Sequence, residues 1–290
     1  MAEQLAFALA AAVGGYGTLL ALLMLGQRRL IYHPDETVPE RAQAGVSDVE
    51  PVSLATRDGL QLLAWHKAPR DGVLPTLVFF HGNAGHLGCR GAKIRPYLDA
   101  GLGVLLPAYR GYSGNPGRPT EQGLYADAEA ALAFLKGRGL AEANLVLYGE
   151  SLGSAVAVEM ARRHGARALV LEAPLTSVAE VGRHRFPLFP VHRVLVDRFD
   201  SKAKIGALRL PVLIVHGGRD PVIPQRFGRA LYEAAVEPKE AHFIPEAGHN
   251  DLYEHGMAEL VLSFLARSGG ALEPAAAPRA LIGPARLADS

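Results

Sequence analysis

Hydrophobic residues fall along this chain in three distinct patterns, each predicting a different element. The first is one long run. Residues 5–26, LAFALAAAVGGYGTLLALLMLG, carry no charged side chain, and Arg28 and Arg29 lie just beyond. A helix of that composition can cross a bilayer core of about 30 Å at roughly 1.5 Å rise per residue. The expectation is a retained transmembrane anchor over residues 1–30. The residues before the run include Glu3 and no Lys or Arg, whereas a secretory signal opens with a basic region. A cleaved signal segment is the alternative. The Arg pair favours a cytoplasmic side for the residues C-terminal to the run, a vote of only two charges.

The second pattern is a series of short apolar runs without alternation: PTLVFFHG, GVLLPAYRG, NLVLYGES, ALVLEAP, PVLIVHGGRD and EAHFIPEAGH. Such runs suit strands buried on both faces of a parallel sheet. Ahead of them, VEPVSLAT and LQLLAWHKAP flank the turn signal Arg57-Asp58-Gly59 and read as a hairpin. The third pattern is amphipathic. TEQGLYADAEAALAFLKGRG, SLGSAVAVEMARRHG, PQRFGRALYEAAV and DLYEHGMAELVLSFLARSG have helical spacing and alternate with the apolar runs. That alternation predicts an α/β domain over residues 45–268, with helices on both faces of a mostly parallel sheet. Residues 269–290 are rich in Ala, Pro and Gly without a period and read as a flexible tail.

Composition narrows the function classes. At 290 residues, 49% hydrophobic and 20% charged, the chain suits one large domain with appendages. A net charge of +1 supplies no basic face, so nucleic acid is not an expected partner. The eleven histidines are scattered without metal-ligand spacing, and no metal is expected. Cys89 is the single cysteine, which excludes an internal disulfide framework.

In open α/β sheets the chemistry gathers at the carboxyl ends of the strands. Here the runs end in His81-Gly82-Asn83, Tyr109-Arg110-Gly111, Gly149-Glu150-Ser151, Glu172-Ala173-Pro174, Arg219-Asp220 and Gly248-His249. Gly149-Glu150-Ser151-Leu152-Gly153 has the Gly-x-Ser-x-Gly form of a nucleophile elbow, placed between a strand and a helix that opens on small residues. A serine hydroxyl needs a base, itself oriented by a carboxylate. His249 comes after the last strand on a Gly-containing loop and is the candidate base. Asp220, ending the penultimate strand before Pro221, is the candidate acid, with Glu172 and Asp251 as rivals. The order Ser, Asp, His is the one this kind of fold uses. Of the other histidines, His81 and His216 precede glycines and read as turn-shaping, while His164, His184 and His192 read as solvated. His255 falls within the last helical pattern. An oxyanion would take the backbone N–H of Leu152 and one from the loop FFHGNAGHLG, with Asn83 as the donor residue. The pattern gives Glu150 no role.

These motifs resemble the α/β-hydrolase superfamily over about residues 49–267. HGNAG, YRGYSGNPGRPTEQGL, GESLGSAVA, RFDSKAKIGALRLPVLIVHGGRDPVIP and PEAGHND are similar to one group within it. That group is the membrane-anchored α/β-hydrolase-domain proteins of the bud-emergence type, relatives of depalmitoylating hydrolases and of the serine aminopeptidase-like domain. The resemblance implies an α/β-hydrolase fold with an eight-stranded type of sheet. It also implies serine esterase or thioesterase chemistry without metal or organic cofactor. Ser151, Asp220 and His249 would be catalytic, and Asn83 and Leu152 would form the oxyanion hole. One departure is the lack of the N-terminal cysteine cluster that palmitoylated relatives use, which weakens an inference of protein depalmitoylation.

Residues 175–207 interrupt the strand–helix rhythm with RHRFPLFPVHRVLVDRF. A short lid is expected there, its Phe186, Phe189 and Leu195 facing Ser151 to bind an acyl chain and its arginines facing anionic headgroups. The alternative is a short loop with one helix. The functional expectation is a membrane-anchored serine hydrolase for small-molecule or lipid acyl esters or thioesters. Two alternatives differ in testable ways. A serine aminopeptidase needs amine-anchoring carboxylates, and no obvious pair is present. A non-catalytic scaffold would not need Ser151, Asp220 and His249 intact.

Overall fold

The computed structural model describes residues 1–269, and the tail expected over 269–290 lies, past Gly269, outside the described residues. The chain opens with α1 (Ala2–Ile31), long and apolar enough to cross a membrane. A two-residue strand β1 (His33–Pro34) comes next. The expected hairpin is β2 (Glu50–Ala55) and β3 (Gln61–Lys67), with Glu50 opposite His66 and Ala55 opposite Gln61. Then come β4 (Thr76–Phe80), the short β5 (Ala84–Gly85), α2 (Gly91–Asp99), β6 (Gly103–Pro107) and α3 (Glu121–Gly137). Next are β7 (Leu145–Glu150), α4 (Leu152–His164) and β8 (Ala168–Glu172). Residues 175–207 hold three short helices, α5 (Val178–Arg185), α6 (Val191–Val194) and α7 (Lys202–Ile205), rather than a loop with one helix. The chain continues through β9 (Val212–Gly217), α8 (Arg226–Ala234), β10 (Lys239–Ile244) and α9 (Met257–Gly269).

Among the described residues the main sheet has eight strands, in the order β10-β9-β8-β7-β4-β6-β3-β2. Only β3 runs against the direction of the others, so the sheet is mostly parallel. In β4, β6, β7, β8 and β9 the absence of alternation is explained by burial on both faces, each covered by its own core. By contrast β10, expected to be equally buried, stands at the sheet edge and is half-buried along its length. On one face Val78, Leu105, Leu147 and Ile214 meet α3, α4 and α8 through residues such as Leu135, Val156 and Leu231. On the other, Leu77, Val146, Tyr148 and Val215 meet α2 and α9 through Ile94, Tyr97 and Phe264. Successive strand residues alternate between these cores, as the pleat requires. Thr120 caps α3 by accepting the Gly123 N–H, and Ser177 caps α5 by accepting that of Glu180.

The last helical pattern divides. Residues Leu252–His255 form a 3₁₀ turn, Gly256 adopts the left-handed conformation at φ 84°, and α9 starts only at Met257. His255 therefore stands outside the helix in which its spacing had placed it. The reason is a glycine that ends one turn before the next begins.

Arg110, just past β6, ties three elements together. Its guanidinium donates to Asp127 of α3 at 2.7 and 2.9 Å and to Asp58 of the hairpin turn at 2.7 Å, and its backbone N–H also reaches Asp127. Asp127 is buried, and burial pushes its carboxyl pKa up against the pull of Arg110. Arg110→Ala leaves that carboxylate without its cation and is expected to cost about 3–5 kcal/mol in urea unfolding at neutral pH. The deficit should shrink on acidification, because a protonated Asp127 needs no cation. A deficit that grows toward low pH would contradict this account.

Candidate active site

The turn from β7 to α4 has no spare residue. Ser151 sits between them at φ 51° and ψ −116°, a strained conformation for a residue with a side chain. Both flanking glycines are required by close approach. A Cβ on Gly149 would lie 2.4 Å from the Ser154 Cα, and one on Gly153 would lie 2.0 Å from the Phe80 carbonyl oxygen. The Ser151 N–H continues the β7–β8 ladder by donating to the Glu172 carbonyl at 2.8 Å.

The structure brings Ser151, His249 and Asp220 together from three separate loops. His249 Nε2 lies 3.0 Å from Ser151 Oγ, and His249 Nδ1 lies 2.6 Å from Asp220 Oδ2. An ionised carboxylate only accepts, so Nδ1 carries the proton and Nε2 is left to accept from the serine hydroxyl. The loops bearing the acid and the base are fastened to each other. Gly218 N–H donates to Ile244 C=O at 2.7 Å and Arg219 N–H to Ala247 C=O at 2.9 Å. Asp220 Oδ1 accepts the N–H groups of Val222 and Ile223, each at 2.8 Å. Burial pushes the Asp220 carboxyl up, but hydrogen bonds with His216 and His249 outweigh it and hold the pKa below the ordinary aspartate value.

The rival acids are occupied elsewhere. Asp251 accepts the Gly248 N–H at 2.7 Å and so shapes the loop that presents His249. Glu172 accepts from Tyr148 Oη and Lys93 Nζ, both at 2.6 Å. His216 does more than shape a turn. It donates from Nε2 to the Ile223 carbonyl at 2.8 Å while lying 3.3 Å from Asp220 Oδ2. His81 is fully enclosed, and burial pulls its pKa down to about 3, so it stays neutral.

Glu150, without a role in the sequence pattern, is a structural hub. Its Oε2 accepts the Gly82 backbone N–H at 3.1 Å and the Arg90 guanidinium at 2.9 Å, and its Oε1 accepts Lys93 Nζ at 2.8 Å. Burial raises its pKa, but the two cations win and hold the carboxyl ionised, well below the ordinary range. Glu172 shares only Lys93, and burial pushes it up. Glu150 thus couples the elbow to the loop after β4, where Asn83 lies. The sequence signal was faint: Arg90 and Lys93 sit three apart, but nothing local points them at Glu150.

Asn83 is held firmly. Its side-chain amide donates to the Ile31 carbonyl at 2.8 Å, and its carbonyl accepts from His33 N–H and Tyr112 Oη at 2.9 and 2.8 Å. Leu152 begins α4, where the first-turn N–H groups lack intrahelical partners. Ser151, Leu152 and Asn83 share a cavity of about 330 Å³ whose wall also includes Phe186, Phe189 and Leu195. Unforeseen in the sequence, the rest of that wall comes partly from α1, through Leu20, Leu23, Met24, Gln27, Leu30 and Ile31. Among the described residues no Asp or Glu lines the cavity, and no cluster of three or more His, Cys, Asp or Glu is arranged to hold a metal ion.

The chain is similar to several known proteins. A family profile described as Serine aminopeptidase, S33 matches residues 73–195. The chain is 41% identical over 227 residues to the uncharacterized protein Rv2307c of Mycobacterium tuberculosis, covering 78% of this chain and 81% of that one. It is 37% identical over 188 residues to the human alpha/beta hydrolase domain-containing protein 17B, 62% of each chain. Among solved structures, the Pyrococcus furiosus esterase Pf2001 superposes with a TM-score of 0.64 at 18% identity, over 83% of this chain and 98% of that one. An alpha-beta hydrolase from Vibrio vulnificus gives 0.66 at 19% identity, over 79% and 88%. At such identities the structural likeness is one of fold. The chain belongs to the α/β-hydrolase superfamily, within the family that includes the mycobacterial relative.

Replacing Glu150 by Gln keeps its shape and removes its charge, leaving Arg90 and Lys93 buried with one anion fewer. We expect a loss of about 3–5 kcal/mol at neutral pH, read by chemical denaturation. A carboxyl whose folded pKa is depressed stabilises above its unfolded value, near 4.5, and loses that contribution as pH falls. The gap between wild type and Glu150→Gln should therefore narrow below that pH. A gap constant from neutral pH into acid would rule out the charge as its source.

Proposed function

We propose that the protein is a serine hydrolase cleaving carboxylic esters or thioesters through an acyl-enzyme, held at a membrane by α1. The observation that carries this reading is the hydrogen-bonded series Ser151–His249–Asp220, whose serine lines a mostly apolar cavity. His249 Nε2 takes the proton as Ser151 Oγ attacks the acyl carbon, and Asp220 stabilises the imidazolium that forms. The resulting oxyanion is met by the backbone N–H groups of Leu152 and Asn83. Collapse expels the alcohol or thiol, which takes the proton from His249. Water then attacks the acyl-serine with His249 again as base, releasing the acid and restoring Ser151.

Phe186, Phe189 and Leu195 would serve as the acyl-facing part of a lid formed by residues 175–207. An aminopeptidase would need a carboxylate to hold the substrate's free α-amino group, and the cavity wall offers none among the described residues. A scaffold role leaves the Ser151–His249–Asp220 geometry without a purpose.

A fluorophosphonate probe is expected to label wild-type protein, and Ser151→Ala to abolish both labelling and ester hydrolysis. Ser151→Ala and His249→Ala should each lower kcat/KM roughly 10⁴-fold or more on an ester panel. Aminoacyl anilides should remain uncleaved. Labelling that persists in Ser151→Ala would remove the nucleophile assignment, and cleavage of aminoacyl anilides in preference to esters would favour the peptidase.

A further inference from the structure

We infer that α1 is itself one wall of the acyl-binding site. On this reading the substrate is a membrane-resident long-chain acyl ester or thioester, whose chain enters between α1 and the α5–α6 segment from the lipid side. This rests on the hydrolase reading and adds a substrate class and an entry route to it.

The α1 residues facing the cavity are Leu20, Leu23, Met24, Gln27, Leu30 and Ile31. Their spacing of three and four places them on a single helical face. Opposite them stand Val181, Phe186, Phe189, Val194 and Leu195, with Ser151 at the inner end. The two walls are fastened to each other along their length. Tyr16 Oη donates to the Leu188 carbonyl at 2.9 Å, and its ring stacks on Phe189 with centroids 5.5 Å apart. Gln27 Oε1 accepts the Val196 N–H at 2.8 Å, and Arg28 pairs with Asp197 at 2.9 Å. At the inner end the Ile31 carbonyl accepts from Asn83. The helix is docked across the mouth of the site rather than tethered away from it.

Length fixes where that mouth lies. With residues 16–32 engaged by the domain, only residues 5–15 of the uncharged run stand clear, roughly 16 Å of helix. That is about half of a 30 Å hydrocarbon core. The α5–α6 segment must then sit at the membrane boundary instead of above it. Its surface fits such a position. Leu188 and Val196 are 81% and 64% exposed, and on the outer face of α1 Leu22 and Leu25 are 61% and 87% exposed. Arg183, Arg185 and Arg193 are exposed on the same segment, with side chains long enough to reach a headgroup layer. A chain that slides from bilayer to cavity never exposes its apolar surface to water.

The test uses full-length protein in phosphatidylcholine vesicles and measures labelling of Ser151 by hexadecyl and ethyl fluorophosphonates. Both probes react with the same serine in the same folded molecules, so their rate ratio is independent of the folded fraction. Leu23→Trp, and Met24→Trp as a second filling of the slot, should lower the hexadecyl-to-ethyl ratio about tenfold or more. Leu25→Trp, on the opposite face, should leave the ratio unchanged. Hexadecyl probe preloaded in the protein's own vesicles should label faster than the same probe supplied in separate vesicles. Equal ratios in wild type and both slot variants would overturn the α1 wall while leaving the hydrolase intact. Equal rates from the two vesicle arrangements would overturn entry from the lipid side. Failure of both probes to label would remove the hydrolase reading and this one with it.

Discussion

The contact on which the site depends is the approach of α4 to the backbone of β4. Gly153 lies so near the Phe80 carbonyl that no side chain fits between them, and Gly149 lies as close to Ser154. This closeness lets α4 start at once after β7, with Ser151 alone absorbing the reversal at positive φ. Because β7 lies between β4 and β8 in the sheet order, the serine emerges where the loops after β4, β9 and β10 converge. The Gly82–Asn83 loop arrives from one side. The Asp220 and His249 loops, laced together by their own backbone hydrogen bonds, arrive from the other. A longer β7–α4 connection would free the serine from that convergence, and the remaining loops would surround nothing.

Two buried carboxylates flank this point and are kept ionised by opposite means. Glu150 faces two cations, Arg90 and Lys93, which hold it ionised against its burial. Such a cluster fixes position, here the Gly82 N–H. Asp220 is held by neutral donors, the N–H groups of Val222 and Ile223, and by imidazoles. Among the described residues no lysine or arginine pairs with Asp220, so in the proposed mechanism its charge is available to a proton-accepting His249. Swapping these environments would leave both carboxylates charged but would deprive His249 of its stabilising partner.

The same distinction between local and distant causes decides how much of the molecule was legible in its sequence. Unbroken apolar runs marked β4, β6, β7, β8 and β9 because burial on both faces acts residue by residue. The residues ending those runs marked Ser151, Asp220 and His249, since a parallel sheet carries its strand ends to one edge. Glu150 was opaque because its partners come from the turn and helix around α2, some sixty residues away, and no local spacing encodes that meeting. His216 looked like a turn residue because its neighbour Gly217 is visible in the sequence, while its approach to Asp220 depends on how the β9 loop folds back. The division of the last helix by Gly256 could have been read from the glycine itself. Its amphipathic surroundings masked it.

The role of α1 was hidden most deeply. An apolar run near the N-terminus is explained by a membrane without any reference to the domain, so composition gave no reason to place Leu23 near Ser151. Yet the end of α1 is built into the site's own backbone. β1 pairs with β5 immediately after Asn83, Asn83 reaches back to Ile31, and Tyr32 joins the core beneath. A helix joined to the domain by a free linker would let the domain take any orientation. One stitched to the Asn83 loop transmits its own orientation to the proposed oxyanion donors. In the proposed arrangement the membrane therefore fixes more than location. By holding α1 it sets the angle at which the cavity meets the lipid, and through Ile31 and Asn83 that angle is shared with the groups that would bind the reacting carbonyl.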